Sequence, residues 1–164
     1  MARKKLIIVC GLSGTGKTTV ARLITEKFHA VHLRTDAIRK EIFPKPTYSP
    51  EESEFVYQEF FRRAERAIKT ENVVMDATFM LERGRVAARK IAELVRADFF
   101  IIETYCPENI VKERIEARKN DESDAQFIHC LDQKKKFEPI TEKHIIIDTS
   151  QDINEQLKNY PFNE

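Results

Sequence analysis

Leu6-Ile7-Ile8-Val9-Cys10 runs straight into Gly11-Leu12-Ser13-Gly14-Thr15-Gly16-Lys17-Thr18-Thr19. The second stretch satisfies the phosphate-loop (Walker A) pattern G-x-x-x-x-G-K-[S/T] in full. It stands where that pattern has meaning, between an apolar strand and a helical segment. Glycines let the backbone curl so that its N–H groups face inward. Those dipoles and the N-terminus of the following helix attract phosphate. In such a cradle, residues 11–19 wrap the phosphates and Lys17 reaches the outer ones. The hydroxyl of Thr18 takes magnesium, and Ser13 and Thr15 are small enough for the curl. A ligand-free glycine turn is the competing reading, and the strand–loop–helix context counts against it.

The remaining chain repeats the alternation. Apolar strand-like runs fall at Lys5–Cys10, Ala30–Arg34, Asn72–Asp76, Asp98–Tyr105 and Lys143–Asp148, most of them almost continuously apolar, as strands buried on both faces are. Helical patterns fall between them: Lys17–Phe28, a segment from Ser49 to about Lys69, Glu82–Val95, Pro107–Arg118, Asp124–Phe137 and Asp152–Tyr160. Ser49-Pro50-Glu51-Glu52 reads as a capping box with proline at the first helical position. Phe43–Tyr48, with two prolines, reads as a loop, and Asn120–Ser123 as a polar turn. Strands alternating with helices predict a three-layer α/β domain around a five-stranded parallel sheet. The 164 residues fit a single domain, 1–164.

Two carboxylates fall at strand ends, where α/β sheets bind ligands. Asp76 ends V-V-M-D beside the glycine loop and is placed to hold the magnesium through its water shell; capping the next turn is its other role. Asp36 follows the second strand in H-L-R-T-D-A-I-R. It can accept the proton of an attacking hydroxyl, with Arg39, one helical turn on, holding the acceptor. An N-cap for Thr35 or Asp36 and a solvated ion pair for Arg39 fit the same spacing. Arg114 and Arg118 share the apolar arc of Ile110, Val111 and Ile115, which suggests a small lid around 114–124 closing positive charge over a phosphate. Pairing with a buried acid is the alternative.

Other features carry less. Lys134-Lys135-Lys136 reads as a solvated face or a guide for an acidic acceptor. Arg83, Arg85 and Arg89 read as surface, and His29, His32, His129 and His144 as structural. A formal net charge of +1 gives no global field toward nucleic acid or membrane. Leu6–Cys10 is too short for a secretory core, and no run approaches a membrane span. Cys10, Cys106 and Cys130 lack metal or disulfide spacing, so buried thiols and a cytoplasmic location are expected.

The glycine loop, L-R-T-D-A-I-R-K-E-I, V-M-D-A-T-F and E-R-I-E-A-R-K-N-D-E-S-D-A occur in that order. Together they resemble the small P-loop kinases of the AAA_33 type. That group is similar to polynucleotide 5′-hydroxyl kinase, chloramphenicol phosphotransferase, gluconate kinase and zeta toxins. The resemblance spans roughly Lys5 to Asp148. It implies a nucleoside-kinase-like P-loop NTPase fold with the loop strand central, ATP and magnesium, Asp36 as base, Arg39 on the acceptor, and Arg114 and Arg118 as lid arginines. Adenine is expected near Thr149–Gln151. The implied activity is transfer of the γ-phosphate to a hydroxyl of a small molecule or to a polynucleotide 5′-hydroxyl. A nucleotide-gated ATPase switch is the alternative class.

Overall fold

The computed structural model describes residues 2–118, 127–160 and 162. In chain order the elements are β1 (Lys5–Cys10), α1 (Lys17–Phe28), β2 (Val31–Arg34), α2 (Thr35–Ile42), α3 (Pro50–Ala67), β3 (Val73–Asp76), α4 (Glu82–Leu94), β4 (Asp98–Tyr105), α5 (Glu108–Ala117), α6 (Phe127–Lys136), β5 (Ile145–Asp148) and α7 (Ile153–Lys158). The five strands form one parallel sheet in the order β2-β3-β1-β4-β5. The glycine-loop strand is therefore central, as expected. Positions 119–126, which hold most of the expected lid, the polar turn and the expected start of α6, lie outside the described residues.

Alternation along β1 divides the core. Leu6, Ile8 and Cys10 face one layer, where α3 supplies Val56, Phe60 and Ala64 and α4 supplies Ala88, Ile91 and Ala92. Ile7 and Val9 face the other, against Val20, Ala21 and Ile24 of α1 and Leu157 of α7. A side-chain period of two on a doubly covered sheet gives this continuous apolar run. Burial also explains the thiols: all three cysteines are free and buried, and burial pushes the Cys10 thiol far up.

The start of α3 differs from the sequence reading in one respect. Ser49 Oγ accepts from the Glu52 amide at 3.1 Å and Pro50 opens the helix, as expected. The Glu52 carboxylate does not complete a capping box. It turns inward and accepts from the amides of Thr47 (3.0 Å) and Tyr48 (2.6 Å) and from Arg39. A buried guanidinium needs a counter-charge more than the cap needs a second hydrogen bond.

Candidate active site

The register of the sheet sets the site. Val9 of β1 pairs with Asp76 of β3, and Arg34 of β2 pairs with the same Asp76. The loop after β1, the carboxylate ending β3 and the start of α2 after β2 thus meet at one sheet edge. There they line a cavity of about 700 Å³.

The loop is held from beneath. Thr15 Oγ1 donates to Leu12 O at 2.6 Å and lies 2.7 Å from Thr104 Oγ1 on β4. Gly11 N donates to Thr78 O at 3.2 Å, which ties the loop to the segment after β3. Gly14 has φ 81 and packs beneath Val111 and Ile115 of α5. Ser13, Gly14, Gly16, Lys17 and Thr18 line the cavity; Gly11, Leu12 and Thr15 build the curl behind it, and Thr19 is exposed. Lys17 Nζ donates to Leu12 O at 2.9 Å. Burial pushes its ammonium pKa down, opposed by the charges of Asp76 and Asp36.

Thr18 Oγ1 donates to Asp76 Oδ2 at 2.9 Å, so the two expected magnesium ligands are neighbours. The same oxygen meets His32 Nε2 at 3.1 Å and Arg34 Nε at 3.5 Å. The sequence reading took His32 as merely structural. Its place two residues before the end of β2, beside β3, was the signal that it faces Asp76.

Asp36 lies in the first turn of α2. The residue at the N-cap is Arg34, in extended conformation and without a side-chain cap bond, so neither Thr35 nor Asp36 is the cap. Asp36 lines the cavity, and burial raises its carboxyl pKa, opposed by Lys17 and Arg34. Arg39 also lines it, almost fully buried. Its Nη1 donates to Glu52 Oε2 at 2.7 Å and its Nη2 to Ser53 Oγ at 3.2 Å, and its guanidinium lies 4.7 Å from the centre of the Tyr48 ring.

The two arginines of the expected lid part company. Arg118, at the C-cap of α5, lines the cavity, and its charge lowers the pKa of Lys17 further. Arg114 does not line it. Its Nη1 donates to Thr149 Oγ1 and its Nη2 to Thr149 O, both at 2.8 Å. Thr149 in turn donates to Thr15 O at 2.7 Å, so Arg114 joins α5 to the segment after β5 and to the loop.

One wall goes beyond the sequence reading, which singles out only the lysine run there. His129, Asp132, Gln133 and Lys136 of α6 line the cavity, and Gln133 Oε1 accepts from Ser13 N at 2.9 Å. Their spacing of three, four and seven residues is one helical face and was readable. Of the lysine run, Lys136 faces the cavity, whereas Lys134 lies outside near Glu108. Arg85, read as surface, is 1% exposed. It donates to Phe79 O (2.6 Å) and Glu138 O (2.9 Å).

Residues 6–140 match the family model described as an AAA domain. The chain belongs to that family. This AAA domain is 28% identical over 137 residues to uncharacterized proteins of Mycobacterium tuberculosis and Mycobacterium bovis; the match takes in 76% of this chain and 28% of theirs. The chain thus spans under a third of the length of those relatives. Its fold is that of the P-loop kinases. It resembles the Mycobacterium tuberculosis APS kinase solved with AMPPNP and APS (TM-score 0.71, 20% identity, 96% of this chain and 95% of that one). A gluconokinase from Sinorhizobium meliloti gives TM-score 0.70 at 19% identity, covering 96% and 90%. A sugar kinase from Janibacter gives 0.68 at 16%, covering 94% and 91%. Among the described residues no helix is long and apolar enough to cross a membrane.

Proposed function

We propose that this AAA domain is an ATP- and magnesium-dependent kinase that transfers the γ-phosphate of ATP to a hydroxyl of a small molecule. The observation that carries the reading is Asp36. A half-buried carboxylate of raised pKa, in the first turn of α2, shares one cavity with the loop lysine. A nucleotide switch has no use for a half-buried base in that position. The structural neighbours are named as an APS kinase, a gluconokinase and a sugar kinase, and the small-acceptor class is taken from that likeness.

In this mechanism the loop amides and Lys17 bind the β and γ phosphates of ATP. Asp36 orients the acceptor hydroxyl and takes its proton as the new O–Pγ bond forms and the bond to the β-phosphate oxygen breaks, leaving ADP. Arg118 adds positive charge beside the transferred group. Arg114 holds α5 against Thr149, where adenine is expected. Thr18 and Asp76 offer hard oxygen donors, so they fit magnesium, which when bound neutralises phosphate charge. Positioning and electrostatics supply most of the rate in such sites.

The test is transfer of labelled γ-phosphate from ATP to a panel of sugars, nucleosides, aminoglycosides and a 5′-hydroxyl oligonucleotide. Transfer to a small acceptor, lowered about 100- to 10,000-fold in Asp36→Asn, is the expected result. Transfer to the oligonucleotide alone would move the acceptor class. Label released only as free phosphate, unchanged in the variant, would favour the ATPase switch.

A further inference from the structure

The kinase reading assigns Arg39 to the acceptor but leaves its partner without a role. Glu52 is only 7% exposed and does not line the cavity. Carboxylates are seldom buried to this degree unless paired. Its Oε2 accepts from Arg39 Nη1 at 2.7 Å and Tyr48 N at 2.6 Å, and its Oε1 from Thr47 N at 3.0 Å. Capping of α3 needs none of this, because Ser49 already caps through the Glu52 backbone amide. Arg39, Thr47 and Tyr48, the three residues that Glu52 holds, all line the cavity, as does the adjacent Ser53.

Tyr48 adds a second, independent observation. Its φ is 57, a left-handed backbone that a bulky residue adopts only when its surroundings impose it. Its amide donates to Glu52 in that conformation. The result sets the Tyr48 ring against the Arg39 guanidinium at the cavity, with 44% of the residue still exposed.

We infer that Glu52 is the positioning residue of the acceptor half of the site, one carboxylate clasping Arg39 and the 47–48 backbone into a single wall. This rests on the kinase reading. Burial raises the Glu52 pKa, but the Thr47 and Tyr48 amides and Arg39 outweigh it and hold the carboxyl below its ordinary value, so the clasp stays charged at neutral pH. Glu52 touches neither phosphate nor reacting hydroxyl. Its loss therefore acts on acceptor binding and spares the nucleotide.

The experiment uses the full chain as wild type, Glu52→Ala, Glu52→Gln and Ser49→Ala, with ATP and whichever panel acceptor the wild type phosphorylates. Glu52→Ala raises the acceptor KM about tenfold, the loss of one charged anchor, and leaves the ATP KM within about twofold. Glu52→Gln, which keeps one accepting oxygen, falls between. Ser49→Ala lowers Tm and leaves both KM values alone, separating the clasp from the helix cap. Amide hydrogen exchange at Thr47 and Tyr48, faster in both Glu52 variants, reads the clasp without acceptor and serves if Glu52→Ala is poorly folded. Unchanged exchange, an unchanged acceptor KM, or both KM values rising together overturns the inference. A wild type that transfers to nothing in the panel instead brings down the kinase reading, and this inference with it.

Discussion

Replacing Gly14 by alanine probes whether the glycine loop and α5 are one packed unit. Gly14 has φ 81, and a Cβ there would stand 2.8 Å from Val111 Cγ1 and 2.9 Å from Ile115 Cγ1. The left-handed backbone costs a residue with a side chain about 1–2 kcal/mol. Overfilling a packed contact adds about 1–3 kcal/mol. A central sum of about 3.5 kcal/mol, at about 2–4 °C per kcal/mol for a domain of this size, lowers Tm by about 10 °C. The loop has little room to give, because Thr15 is bonded to Leu12 O and faces Thr104. Helix α5 yields instead and carries Arg114 and Arg118 away, so nucleotide affinity falls too. Thermal melts followed by circular dichroism and titration with AMPPNP read both effects. Val111→Ala in the same chain makes room for the methyl, so the double variant loses less than the sum of the single ones. A Tm drop under about 2 °C with unchanged nucleotide affinity would refute the packed unit, since 1 kcal/mol already moves Tm by that much.

Four further outcomes are expected. The acid limb of kcat/KM lies above the ordinary carboxylate range, because burial raises the Asp36 pKa. The folded state then binds the proton more tightly than the unfolded one, so stability falls as pH rises from the unfolded to the folded pKa. Asp36→Asn, free of that penalty, melts higher than wild type at neutral pH; a lower Tm there contradicts the assignment. Arg85→Met leaves the carbonyls of Phe79 and Glu138 without their donor and costs about 3 kcal/mol in urea unfolding; a loss under about 1 kcal/mol would mean water replaces it. Gln133→Ala frees the Ser13 amide and tightens AMPPNP binding up to about fivefold, whereas weaker binding in calorimetry would make Gln133 a nucleotide contact instead.

What the sequence disclosed follows the range of the forces involved. Strands β1 and β4 and helix α1 have the expected bounds because apolar runs and loop glycines are local signals. Strands β2, β3 and β5 are one or two residues shorter than expected at their first ends, where pairing rather than propensity decides. Strand ends and the glycine pattern single out Asp36, Lys17, Thr18 and Asp76, and all four line the one cavity. Gln133 against Ser13, 120 residues apart, and Arg114 on Thr149 are not singled out this way, since no local pattern records a contact made only when the sheet closes. Arg85 was misread for a related reason: its acceptors are backbone carbonyls, which every residue has.

The order β2-β3-β1-β4-β5 has a consequence for how such a chain diversifies. Lys17, Thr18 and Asp76 hang from the inner strands β1 and β3. Asp36, Arg39, Tyr48 and Glu52 belong to one excursion, residues 35–72, that leaves the outermost strand β2 and returns to β3. The stretch is a cassette clipped to the sheet margin, with the phosphate machinery on a separate mounting. On the proposed kinase reading, rewriting the cassette would re-address the phosphate to another alcohol while the donor side keeps its geometry.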